Sequence, residues 1–177
     1  MTKRTQSIFI AVPLLLAAGY LAVAWHVMQI SIDRPIMAIT TNSDPWFPRG
    51  LAKAYLFASN YDPDASTESG MPAFNFIVAG YNLENSNKDE VMLLSQKFID
   101  KGADIDKPWR GFTPLQAAVL GNEPALVQHL LHNGADPKKR VNHPDRSFDN
   151  MTTLEFAEYL ASLEKQDMAK VLTLLKK

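Results

Sequence analysis

The sequence predicts an all-α protein. About three helix-turn-helix units stack into a solenoid, preceded by one N-terminal apolar helix. Three observations lead there. The first is a pair of short helical patterns between Gly111 and Pro137, each too short to bury its apolar stripe alone. The second is the return of that pattern upstream, at 32 residues, and downstream across longer connections. The third is an uncharged run from Ile8 to Ile32.

The central pair carries the strongest signals. Thr113 supplies a hydroxyl cap and Pro114 suits a first helical position, where no backbone donor is needed. Leu115, Ala117, Ala118 and Leu120 are small or apolar, so a second helix can approach closely. Pro124 opens the next helix. Leu126, Val127, Leu130 and Leu131 then form one stripe, and Gly134 stops it with a left-handed cap. Upstream, Phe98-Ile99-Asp100-Lys101-Gly102-Ala103-Asp104 matches Leu130 to Asp136 at a distance of 32 residues. Its first helix is weaker, at Met71 to Gly80, with Phe74 standing where Leu115 does. The excess length falls in Tyr81–Glu90 and enlarges the turn between the helices. Downstream, Thr152-Thr153-Leu154 echoes Thr113-Pro114-Leu115, and Val171, Leu174 and Leu175 echo Val127, Leu130 and Leu131. The residues from Lys138 to Asn150 make a long finger between the second and third units.

These marks resemble one family. Thr113-Pro114-Leu115, Gly121, Leu130-Leu131 and Gly134-Ala135-Asp136 stand as they do in an ankyrin repeat, with Gln116 in place of the usual His and Gly121 one residue early. The resemblance covers roughly 70–177, with repeats at about 70–104, 105–137 and 150–177. It implies a scaffold that binds other proteins through hairpin tips and the exposed side of its first helices. Mapped here, that face takes Lys107, Trp109, Arg110 and Phe112 from one hairpin. Lys138, Lys139, Arg140, His143, Arg146 and Phe148 come from the finger, and Gln116 and Val119 from the central first helix. Aromatic and arginine side chains are what binding hot spots favour. The face is locally basic, which points to an acidic protein partner.

The N-terminal third is organised differently. Residues 1–7 are a short tail carrying Lys3 and Arg4. Residues 8–32 are apolar enough for a membrane span, which needs roughly twenty residues. Trp25 then sits at the far interface, and the basic tail predicts the N-terminus in the cytoplasm with the rest of the chain exported. This places a single-pass protein in the inner (plasma) membrane with its domain in the periplasm. Ala22-Val23-Ala24 also fits a signal-peptide cleavage site, which would release the domain as a soluble periplasmic protein. Residues 33–69 read as a linker and a capping helix. Proline and polar residues make 33–50 an extended stretch, with Trp46 and Phe47 packing on the domain or membrane. Leu51 to Asn60 is helical and caps the open end of the array. Tyr61–Gly70 is a polar loop.

Composition narrows function. The 18 basic and 19 acidic residues include Lys3 and Arg4, so the chain beyond its first thirty residues is net negative. That gives no electrostatic case for nucleic acid. There is no cysteine, which excludes disulfides, thiolate nucleophiles and thiolate metal sites. His129 and His132 are three apart and with Asp136 could hold zinc, but surface histidines on an outer helix account for the spacing. Asp62, Asp64 and Glu68 miss the calcium-loop spacing and read as a solvated loop. Asn150-Met151-Thr152 matches a glycosylation sequon, most simply by chance. No phosphate loop, nucleophile elbow or metalloprotease motif is present. The expectation is a non-enzymatic protein-binding module without cofactor or metal. One version is an immunity protein that neutralises a toxic periplasmic effector. The alternative is a structural, assembly or regulatory envelope factor acting on a membrane enzyme.

Overall fold

The computed structural model describes residues 15, 17–26, 31–41, 49–58 and 60–177. Eight helices follow one another among residues 33–177: α1 (Asp33–Thr40), α2 (Arg49–Ala58), α3 (Ala73–Gly80), α4 (Lys88–Asp100), α5 (Pro114–Leu120), α6 (Pro124–His132), α7 (Thr153–Ser162) and α8 (Ala169–Leu175). Residues 17–26 are also helical. Each odd-numbered helix packs on the even-numbered helix that follows it. The odd-numbered helices also stack in a row, α1 on α3, α3 on α5 and α5 on α7, and α6 packs on α8. The result is an ankyrin-like array of helix pairs, with β-hairpin loops projecting between pairs. Isolated bridges mark those loops at Ser66 and Pro72, Trp109 and Phe112, and Arg140 and Thr152.

The core is a continuous apolar seam through all the pairs. Phe74, Ile77 and Val78 of α3 and Leu115, Ala118 and Val119 of α5 are buried, as are Leu94 and Phe98 of α4 and Leu126, Val127 and Leu130 of α6. Removing a leucine side chain from such a site costs about 2–5 kcal/mol. The seam ends on a polar outer face. Glu158 pairs with Lys176 at 3.1 Å, and Glu155 is exposed, as a terminal repeat requires.

Residues 33–50 differ from the extended stretch their composition predicts. Asp33–Thr40 is a helix whose Ile36 and Ile39 are fully buried. Pro35 is tolerated because it sits in the first turn, where backbone N–H groups have no helical acceptor. Thr40 and Thr41 close the helix by donating their hydroxyls to the carbonyls of Ile36 and Met37, both at 2.9 Å. With α2, this helix adds a fourth pair to the stack. Burial of its isoleucines in the shared core outweighs the local turn-like composition. Trp46 and Phe47 lie outside the described residues.

The enlarged turn after α3 is held from the α1 side. Asn87 donates its backbone N–H to Thr40 O at 2.7 Å, and Thr41 bridges Ser86. Lys53 pairs with Glu90, and Lys88 pairs with Glu123 at 2.8 Å. At the other end, Asn122 donates to Asp167 O at 3.0 Å and ties the two following turns together.

One hydrogen-bond pattern recurs between repeats. The third residue of the odd-numbered helix reaches the next hairpin. Asn75 Nδ2 donates to Lys107 O at 3.0 Å, and Gln116 Nε2 donates to Lys139 O at 2.9 Å. Gln116 also accepts from Thr113 N through Oε1 at 2.9 Å, completing a capping box. Gln116→Ala leaves a buried N–H and a carbonyl unpaired. It should lower stability by about 2–4 kcal/mol, against about 1 kcal/mol for Asn75→Ala, which loses one bond. Urea denaturation midpoints of the two variants check the order.

Candidate protein-interaction groove

The hairpins are built from loop chemistry that the sequence spells out. Trp109 and Phe112 exchange both backbone hydrogen bonds, Trp109 N to Phe112 O at 2.8 Å and Phe112 N to Trp109 O at 3.1 Å. Between them Arg110 and Gly111 both have positive φ, 48° and 83°, as a two-residue hairpin turn demands. Gly111 is required for a second reason. A Cβ there would lie 2.1 Å from the Asn142 carbonyl oxygen, because Asn142 N donates to Gly111 O at 2.9 Å. That bond joins the Trp109 hairpin to the finger.

Aspartates stitch the hairpin bases. Asp64 Oδ1 accepts from Asp104 N, and Asp104 Oδ1 accepts from Asp106 N, both at 3.0 Å. Asp106 Oδ1 accepts from Asp136 N at 3.0 Å, and Asp136 Oδ1 accepts from Lys138 N at 2.8 Å. Their carboxylates therefore serve backbone N–H groups.

Between the hairpins and helices α3 and α5 lies a groove of about 390 Å³. Met71, Val78, Trp109, Phe112, Pro114 and Ala117 form its apolar wall, with Asn75, Arg110 and His143 as the polar members. Four of the residues singled out from the sequence converge here: Trp109, Arg110, Phe112 and His143. The indole of Trp109 reaches the neighbouring hairpin, within 3.8 Å of where a Gly70 Cβ would stand. Arg110 lies over that indole at 5.5 Å. Met71, Asn75, Val78, Pro114 and Ala117 were not among the residues the sequence pointed to. Asn75 was reachable, since aligning Phe74 with Leu115 places Asn75 opposite Gln116.

The remaining expected residues divide. Gln116 and Val119 are fully buried and offer nothing to a partner. The correction has a physical cause: α3 and α7 cover both sides of α5, so only its hairpin-facing edge stays open. Phe148 and His143 are half-buried in an aromatic cluster. Phe112 lies 4.6 Å from His143 and 5.5 Å from Phe156, and Phe148 lies 5.3 Å from Phe156 and 5.9 Å from Tyr159. The cluster pins the finger to α7. Lys107 is half-buried, with its ammonium 3.4 Å from Asp64 O. Arg140 is exposed and donates to Asn150 O at 2.6 Å. Lys138, Lys139 and Arg146 are exposed, with no ion pair among the described residues.

His129 of α6 is tied to Ser95 of α4. Ser95 donates its hydroxyl to Met92 O at 2.9 Å, so its 2.9 Å contact with His129 Nε2 uses the imidazole N–H. Burial, aided by His132, holds the His129 pKa below the ordinary histidine value. Among the described residues no group of three histidine, cysteine or acidic side chains could hold a metal. Asp62 Oδ1 accepts from Asp64 N at 2.9 Å, in keeping with a turn.

Two outcomes follow from this geometry. Gly111→Ala should destabilise the protein by about 2 kcal/mol or more, from left-handed strain plus the clash with Asn142. Thermal denaturation, with loss of Trp109 fluorescence anisotropy as the local readout, checks this. The lowered His129 pKa means that the unfolded chain takes up that proton first. Its contribution to stability is complete above the unfolded value of about 6.5 and is lost as pH falls below it. The melting temperature should drop between pH 7.5 and 5.5, and His129→Gln should flatten that part of the profile. A profile identical in the two proteins would contradict the assignment.

The family model for the ankyrin repeat matches residues 110–143. No curated protein matches the chain. The matched segment starts at Arg110 in the hairpin, contains α5 and α6, and ends at His143 on the groove wall. The chain thus contains an ankyrin repeat, set in an all-α array of helix pairs, an arrangement consistent with a generic ankyrin-type protein-interaction module.

Proposed function

We propose that this protein is a non-catalytic binding module that engages another protein through the Trp109 groove and the cationic finger beside it. The observation that carries the reading is the convergence of Trp109, Arg110, Phe112 and His143 on one open apolar groove of about 390 Å³. Arg110 lines the groove, and Lys138, Lys139 and Arg146 are exposed on the finger that contributes His143 to it; these cations favour an acidic partner. Lys107, Arg140 and Phe148 flank it as secondary contacts.

The array, in this reading, comprises the helix pairs from 33 onward, with the ankyrin-like repeats at 70–177. The N-terminal apolar run either anchors it in the membrane with the domain on the exported side or directs its export and is then removed. In support, Leu15, Tyr20, Leu21, Val23 and Trp25 of the helical N-terminal segment are exposed. Among the described residues no helix is long and apolar enough to cross a membrane, and the run extends into residues 8–14 and 27–30, which lie outside them.

Between the two roles considered, a structural, assembly or regulatory factor fits better than a toxin-neutralising immunity protein. Tight neutralisation draws on exposed aromatic anchors. Here Phe112, His143 and Phe148 are half-spent on holding the finger to α7.

A photo-reactive residue in place of Arg110, in the full chain expressed in its native host, should cross-link one predominant envelope protein. Charge reversal at Lys139 and Arg146 (K139E/R146E) should lower that capture at least about tenfold. Capture indifferent to both charge reversal and filling of the groove by Ala117→Phe would sink the reading.

A further inference from the structure

The N-terminal end of the stack is closed by the helical segment 17–26. Ala24 of that segment is only 6 % exposed, and Trp25 meets Tyr55 of α2 edge to face, with ring centroids 5.3 Å apart. This contact lies on the flank of α2 turned away from the rest of the array. Lys53 of α2 pairs with Glu90 of α4, and Lys97 of α4 lies over the Phe57 ring at 5.6 Å, so Lys53 and Phe57 point toward α4. Leu51 and Tyr55 stand roughly half a turn from them at about 100° per residue. Terminal units of a repeat array carry a polar outer face. Here that flank offers Leu51 and Tyr55, both packed against the core and only partly buried.

On the other side of Ala24 the helix leaves the array. Leu15, Tyr20, Leu21 and Val23 are 46–72 % exposed. With Trp25 they are distributed round the whole helix, at about 100° per residue. A helix that is apolar on every side needs cover on every side. The face of one protein partner, or of a second copy, covers one side; lipid covers all of them. The described stretch is itself too short to cross a bilayer. It belongs to a run without charged residues from Ile8 to Ile32, and a span takes roughly twenty residues. Trp25 falls near the far end of that run, where interfacial aromatic side chains sit. At Asp33 the chain enters α1, which packs on α2, so no free linker separates the run from the array.

We infer that the array is seated directly on a phospholipid surface by its first helix pair. Lipid surrounds the helix up to Val23. Trp25 and Tyr55 lie together at the headgroup level, where amphipathic rings are favoured. The α1–α2 end of the stack faces the bilayer, and the α7–α8 end lies farthest from it. This rests on the anchored form of the reading above and adds an orientation to it: the array is held in one pose, not tethered at the end of a loose linker.

The chain has no cysteine, so single sites can be labelled. Ala58→Cys places a fluorophore on an exposed residue one turn beyond Tyr55, and Lys165→Cys places one on an exposed residue after α7. Each full-length protein is reconstituted into vesicles of phosphatidylcholine and phosphatidylglycerol containing a lipid with a nitroxide at its headgroup. The label at 58 should lose most of its fluorescence and the label at 165 should keep it. Trp25→Ala should reduce the loss at 58 while the chain still floats with the vesicles, and Trp25→Phe, which keeps a ring against Tyr55, should preserve the loss. Vesicle-bound chain with neither label quenched, or with both quenched alike, overturns the seated pose and leaves the anchor standing. A chain that does not float with the vesicles, or that is recovered from its native host without residues 1–24, overturns the inference and the anchor together. Cross-linking from position 110 decides the groove reading separately.

Discussion

Two joints of the array share one constraint: the third residue of α3 and of α5 presents a donor to the backbone of the next hairpin. Asn75 and Gln116 meet it, reaching the carbonyls of Lys107 and Lys139. The aspartate ladder from Asp64 to Asp136 repeats the logic at the loop bases. Apolar burial drives the helices together but is indifferent to small slides along the seam. Directional hydrogen bonds between buried groups are not, because a slide leaves them unpaired. They set the rotation between pairs, and so the position of every hairpin tip.

The groove is a by-product of that registration. It lies where the hairpin carrying Trp109 leans toward the one carrying Gly70, over the open edges of α3 and α5. The unpaired Oδ1 of Asn75 arises where the pattern meets Pro72. A capping proline removes the N–H that Thr113 and Thr152 provide in the later repeats, so Asn75 performs half of the task that Gln116 performs in full.

The irregular insertions are absorbed rather than left projecting. The long turn after α3 is tied to the end of α1 through Thr40, Thr41, Ser86 and Asn87. The finger is bound to the Trp109 hairpin through Asn142 and to α7 through Phe148 and Phe156. Aromatic residues that suggest a binding surface when read in isolation thus divide between cohesion and recognition.

The sequence by itself determined the helical pairs, their caps and their stripes, since these rest on local spacing: Thr113-Pro114, Pro124, Gly134, and the leucines of α6. The Trp109 hairpin came from the ankyrin resemblance, which puts a hairpin ahead of the helix that Thr113 and Pro114 open. Only the tertiary structure decided which faces stayed open. Gln116 and Val119 looked available on an isolated helix and are covered by helices far away in the chain. Residues 33–40 looked like a linker and became a helix because Ile36 and Ile39 are buried in the shared core. Capping and periodicity act within a few residues, whereas exposure is a property of neighbours that the stack alone brings together.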